Sequence, residues 1–174
     1  MSWSGIRKRL EEEFLAESLR GRIQYYAVSY SKCPDHEGRA AVRFDGEEIL
    51  KSNAFDYEKY AALHEQKLHR ENPEMSFGEN WKKAGIAALR DGCFDQWSFY
   101  RAFEEFTAQS IEDSLNSENA IVRMFAILDR RVGKRRLAKI AERLPDEPEW
   151  LQRFYLIRFE AESIKVTEED QSLS

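Results

Sequence analysis

The sequence predicts an α+β fold that is mostly helical: an N-terminal helix with a small antiparallel β-meander, followed by a bundle of about five or six helices. Three observations predict it. Residues 22–50 alternate apolar with polar side chains around an Asp-Gly turn. From Asn53 onward every apolar run has helical spacing and a cap signal. The chain has 174 residues, 42% of them hydrophobic, enough to build a core without disulfides or metals.

Ser4 to Leu19 reads as an amphipathic helix, with Trp3, Ile6, Leu10 and Phe14 near one face and Gly21 as a stop. In Arg22 to Tyr30, Ile23, Tyr25 and Ala27 alternate against Arg22, Gln24, Tyr26 and Val28. "CPDHEG" is loop chemistry, and "RAAVRF" alternates again. Asp45-Gly46 then signals a two-residue hairpin, so "EEIL" returns as a third strand.

The helical part follows in six pieces. Asp56 is expected to cap a helix carrying Tyr57, Tyr60, Ala61, His64 and Leu68, which ends before Asn72-Pro73. Ser76 with Glu79 forms a capping box for a helix through Trp81, Ala84, Ala88 and Leu89, closed by Gly92. Asp95 caps a long helix bearing Phe99, Phe103, Phe106 and Ile111. Ser117 caps the next, with Ile121, Phe125, Leu128 and Val132 inward and Gly133 as terminator. Leu137 to Leu144 is a short helix, and Trp150, Phe154 and Ile157 mark the last. The organisation expected is one domain over 1–166, with a helix-plus-meander sub-region (1–52), a helical sub-region (53–166) and a flexible tail (167–174).

The formal net charge of −5 gives no general preference for nucleic acid or anionic membrane. Any such preference must come from a local patch. Two distant cysteines, Cys33 and Cys93, fit reduced thiols in the cytoplasm. The opening "MSWSGIRKRLEEEF" has no apolar core of a signal peptide, and no segment approaches the ~18 apolar residues of a membrane span. Cytoplasmic localisation is therefore expected, with no membrane partner and no cofactor.

Catalytic signals are weak. "HEQKLH" sets His64 and His69 five apart, ~140° around a helix, whereas a zincin needs them four apart. Cys33, Asp35 and His36 have no second ligand pair at metal spacing. Cys93 precedes a helix start, a place where a thiol pKa can fall, although small buried cysteines are common. No GxSxG, P-loop or GxGxxG occurs.

The one strong local feature is "LDRRVGKRRLAKI". Between Arg123 and Arg143 stand eight cations, Arg123, Arg130, Arg131, Lys134, Arg135, Arg136, Lys139 and Arg143, against two acids, Asp129 and Glu142. If residues 121–134 are helical, Arg123, Arg130 and Lys134 share a narrow arc opposite the apolar residues, and Arg136, Lys139 and Arg143 share one in the next helix. That face is either a phosphate-contacting patch or the wet side of a helix pair. A helix-turn-helix does not fit, because "PDEPEW" puts acids where a recognition helix should begin. Arg22, Tyr26 and Tyr30 form a second candidate, an interface on one face of the sheet, unless the tyrosines pack under helices.

Three stretches, "WSGIRKRLEEEF", "GRIQYYAVSYSKCPDHEGRAAVRFDGEEI" and "SENAIVRMFAILDRRVGKRRL", together resemble an uncharacterised family of small bacterial intracellular proteins. The resemblance spans most of the chain. It implies a bacterial, intracellular setting and no assigned activity, so no residue role carries over.

The function expected is a non-catalytic intracellular protein-interaction module that meets a protein partner or itself. Immunity-like neutralisation of a basic effector is one concrete form. One alternative is an RNA- or DNA-contacting protein using the basic helix pair around residues 123–143, and another is an enzyme with a composite site invisible in sequence. A binding module predicts an exposed apolar patch. A nucleic-acid binder predicts a basic face left unneutralised by Asp146, Glu147 and Glu149. An enzyme predicts a pocket of convergent polar groups.

Overall fold

A computed structural model describes residues 1–30, 32 and 37–164. The chain enters as a short helix, α1 (Trp3–Lys8), whose first turn is capped by the Ser2 hydroxyl accepting the Gly5 N–H. The single helix expected through Leu19 does not form. Arg9–Phe14 widens into a π-helix, Leu15 and Ala16 extend, and Glu17–Leu19 makes one 3₁₀ turn. The reason is geometric. In a regular α-helix Leu15 and Leu19 lie roughly 140–180° from Ile6, yet Ile6, Leu10, Leu15 and Leu19 are all buried. Breaking the helix brings both pairs inside.

Three strands follow in antiparallel order, β1 (Ile23–Ser29), β2 (Gly38–Phe44) and β3 (Glu47–Asn53). Asp45 and Gly46 both take positive φ, 49° and 89°, as a two-residue hairpin turn demands. One face, with Ile23, Tyr25, Ala40, Val42 and Leu50, is buried. The loop residues Cys33, Asp35 and His36, and the tail 167–174, lie outside the described residues.

The remaining helices are α2 (Ala54–Glu71), α3 (Phe77–Arg90), α4 (Gln96–Ala108), α5 (Ile111–Leu115), α6 (Ala120–Leu128), α7 (Lys134–Ile140) and α8 (Glu149–Ala161). The Ser76–Glu79 capping box and the Asp95 cap form as the sequence predicts, and Gly92 takes φ +77° beyond α3. Four expectations need correction. Asn53, not Asp56, caps α2, its side-chain Oδ1 accepting the Asp56 N–H at 3.0 Å. The helix expected to run on to Ile111 stops at Ala108, and Ser110 caps a new one. Asn119, not Ser117, caps α6, while the Ser117 hydroxyl donates to Glu105. Finally, α6 ends at Leu128, so Val132 and Gly133 lie beyond it, and Gly133 opens α7.

The early end of α6 has a tertiary cause. Leu15 and Asp129 form an isolated antiparallel bridge, with the Ala16 N–H donating to Leu128 O and the Arg130 N–H to Phe14 O. The buried Asp129 carboxylate then accepts the Arg131 N–H at 2.6 Å and holds its guanidinium. All nine residues of α6 are buried. Around it Tyr25, Phe99, Phe106 and Phe125 meet edge to face at 5.5–6.4 Å, joining sheet and helices in one core.

Candidate functional site

The eight cations of 123–143 do not share one face. Arg123 sits on fully buried α6 and is itself buried, held by Glu147 and by the carbonyls of Ser117 and Glu118. It is no part of any surface patch. Arg131 is tied to Asp129, and its guanidinium lies 5.3–5.4 Å from the Phe14 and Phe106 rings. Arg130 and Lys134 flank a depression with the buried Arg158, whose guanidinium donates to Glu162, Ser18 and Val132 O.

The other four cations converge. Arg135, Arg136, Lys139 and Arg143 line a cleft of about 360 Å³ between α5 and α7, floored by Leu115 and Ile140. Glu112 reaches Arg136 at 3.3 Å, and Asn116 Oδ1 accepts from Arg143 at 2.9 Å. Of the three acids that might have neutralised the basic stretch, Glu147 takes only Arg123. Asp146 and Glu149 make no ion pair among the described residues.

The sheet candidate divides as well. Arg22 pairs with Asp45 at 2.7 Å and lies 4.6 Å over the Phe44 ring. Tyr26 is on the outer face, where Arg43 covers its ring at 4.4 Å and Arg39 and Arg43 share Glu48. Tyr30 is exposed. These tyrosines therefore do not pack beneath helices. Tyr25, on the other face, does.

A larger feature lies beneath the antiparallel hairpin of α2 and α3. On α3, Phe77, Trp81, Ala84, Gly85 and Ala88 fall within a ~100° arc. Ala84, Gly85 and Ala88 are buried, but Phe77 is 68% and Trp81 38% exposed on the same stripe. The inward face thus overruns the body that covers it, and the two aromatic rings stack on each other at 5.8 Å. Trp81, with Phe77 stacked on it, lines a cleft of about 670 Å³. Tyr57, Trp81, Ile86 and Leu89 form its apolar wall. Tyr57 can lie across α3 only because Gly85 has no side chain: a Cβ there would stand 2.8 Å from the Tyr57 hydroxyl.

The opposite wall is polar and internally satisfied. Asp95 caps α4 through the Ser98 N–H at 2.7 Å and receives Arg101 at 3.2 Å. Glu105 accepts from the Ser117 hydroxyl and from Asn119. Carboxylates saturated in this way hold loops in place, with the hydroxyls of Ser98 and Ser117 donated to Asp95 and Glu105. Sequence reading missed this cleft, since the stripe from Phe77 to Ala88 looks like uniform core. Its one visible signal was an aromatic residue at the first helical position, a place that rarely needs one.

The remaining chemical groups are scattered. His64 Nε2 meets Asp91 at 2.5 Å, joining α2 to the end of α3. Burial pushes the Cys93 thiol up to about 11, with Asp91 and Asp56 adding to the shift, so the helix-terminus lowering considered from sequence does not occur. Among the described residues no group of three His, Cys, Asp or Glu could hold a metal ion, and no helix is long and apolar enough to cross a membrane.

The model of the SF0329 protein family, an uncharacterised family, matches residues 2–159, and the chain belongs to that family. No curated protein and no solved structure matches the chain.

Proposed function

We propose that this member of the SF0329 protein family is a non-catalytic protein-interaction module whose cleft beneath the α2–α3 hairpin takes an amphipathic helix of a partner protein. One observation carries the reading: the core-facing stripe of α3 continues past the core as the stacked, exposed pair Phe77 and Trp81. An aromatic pair left in water at the mouth of a cleft is the kind of anchor that binding energy concentrates on. The lining carries both signs, Lys82 and Arg101 against Asp95, Glu105 and Glu118. A helix with both acids and bases beside its apolar stripe is complementary to it.

An intracellular bacterial setting accompanies this reading, its intracellular part supported by two cysteines far apart in sequence, of which Cys93 is a free thiol. The test compares the wild-type chain with Phe77→Ser/Trp81→Ser as baits in quantitative affinity capture. A protein retained only by the wild type should contain an amphipathic helix, and that helix as a peptide should bind the wild type and not the variant. Equal binding of the peptide to both chains overturns the proposal.

A further inference from the structure

We infer that the cleft between α5 and α7 is a second binding site, one that contacts the phosphate groups of a nucleic-acid backbone. Its wall holds four cations, Arg135, Arg136, Lys139 and Arg143, against a single acid, Glu112. That acid reaches only Arg136, through an exposed pair that leaves most guanidinium donors open. Arg143 is held by a neutral amide, and Arg135 and Lys139 make no ion pair among the described residues. A local surplus of three positive charges thus stands on a chain whose net charge is −5. A polyanion repelled by the rest of the surface has this concavity to settle on.

Spacing and composition favour a phosphodiester strand over a protein partner. Arg135 and Lys139 are four residues apart on α7, about 6 Å along its axis, and Arg143 follows on the 3₁₀ segment Ala141–Asp146. Arg130 and Lys134 extend the cationic surface toward the neighbouring depression. A protein interface needs an apolar centre, but here the floor residues Leu115 and Ile140 are buried at 2% and 6% exposure. Nothing aromatic lines the cleft, so bases have no platform on which to stack. The contact is therefore with the backbone and independent of sequence, with arginine forks grasping phosphate oxygens.

The test is fluorescence anisotropy of a labelled 30-nucleotide single-stranded RNA and a 30-base-pair DNA, at 50 and 200 mM salt, with three forms of the full chain. These are the wild type, Arg135→Ser/Arg136→Ser/Lys139→Ser/Arg143→Ser, and a control that removes four cations elsewhere, Lys51→Ser/Lys59→Ser/Lys67→Ser/Lys83→Ser. The wild type should bind both ligands, and about four phosphate contacts should weaken it by roughly two orders of magnitude between the two salt concentrations. The cleft variant should lose binding while the control keeps it. The smaller variant Arg135→Ser/Lys139→Ser, which removes no fold contact, should lose about half of the salt slope. Absence of wild-type binding at 50 mM salt, or equal loss in the cleft and control variants, overturns the inference.

Discussion

The Arg123 guanidinium and the Glu147 carboxylate face each other inside the protein. Nε lies 3.1 and 3.0 Å from the two carboxylate oxygens, and Nη2 lies 2.8 Å from Oε2. The Tyr155 hydroxyl donates to the same carboxylate at 2.9 Å. The pair fastens α6 to the segment entering α8, and it removes the first cation of the basic stretch from the surface.

Breaking that pair on one side leaves a buried charge without its partner. Arg123→Met should destabilise the fold by about 3–5 kcal/mol in urea unfolding. Adding Glu147→Gln removes the stranded charge and should recover part of the loss. If Arg123→Met costs less than about 1 kcal/mol, the pair is not buried as described.

The crossing of Tyr57 over Gly85 makes a sharper steric prediction. Gly85→Ala drives a methyl against the Tyr57 hydroxyl, 2.8 Å away, and should cost roughly 1–3 kcal/mol even though alanine favours helix. Combining it with Tyr57→Phe removes the clashing oxygen and should restore stability. A double-mutant cycle showing no coupling contradicts the crossing.

Glu11 gives a pH signature. It lies on the π-helical segment and accepts the Tyr25 N–H at 2.8 Å, which ties that segment to β1. Burial raises its carboxyl above the ordinary range, more than this hydrogen bond and nearby Arg7 lower it. A group raised in the folded state contributes stability below its unfolded pKa and loses it as pH rises through the folded value. Wild-type stability from this group therefore falls from about pH 4.5 upward. Asp45 and Glu48, lowered by their arginine partners, act the other way and lose their contribution only in more acidic solution. The stability of Glu11→Gln relative to wild type should accordingly rise between pH 4 and pH 7, and a difference that is flat or falls contradicts the burial of Glu11.

Exposure separates the binding aromatics from the structural ones. Phe77→Ser should shift unfolding free energy by no more than about 1 kcal/mol, because its ring is largely in water. Phe99→Ala, fully buried against Tyr25, Phe94 and Phe125, should cost about 3–5 kcal/mol. Comparable losses in the two cases mean that the overhanging ring belongs to the core.

Local chemistry was legible in the sequence wherever a few neighbouring residues decide the outcome. The Asp45-Gly46 turn needs positive φ and the strands flanking it alternate, so the meander could be read directly. The Ser76–Glu79 box and the Asp95 cap involve partners three residues apart and were equally visible. Two caps failed locally, Asn53 and Asn119 taking the places expected of Asp56 and Ser117, and the larger failures were set by partners distant in sequence. The periodicity of Ile121 to Val132 continues smoothly past Leu128, but Leu15 bridges Asp129 and ends the helix there. Arg123 looked like surface because Glu147 lies 24 residues away. The helix predicted through Leu19 counted Ile6 and Leu10 but not the opposed Leu15 and Leu19. Of the candidate site, the cationic row was readable as charge, while the hairpin cleft depends on where the body stops beneath α3, which no window of sequence contains.

The most direct test of the docking cleft is site-specific photocrosslinking in cells, with benzoylphenylalanine at position 77 and, in a separate chain, at position 55 on the outer side of α2. Phe55 is as exposed as Phe77, but it is not on the stripe that continues from the core. A discrete crosslink is expected from position 77 alone, to a peptide that sequences as an amphipathic helix of another protein. Equal labelling from both positions, or a crosslink from position 77 only to a second copy of this chain, contradicts it.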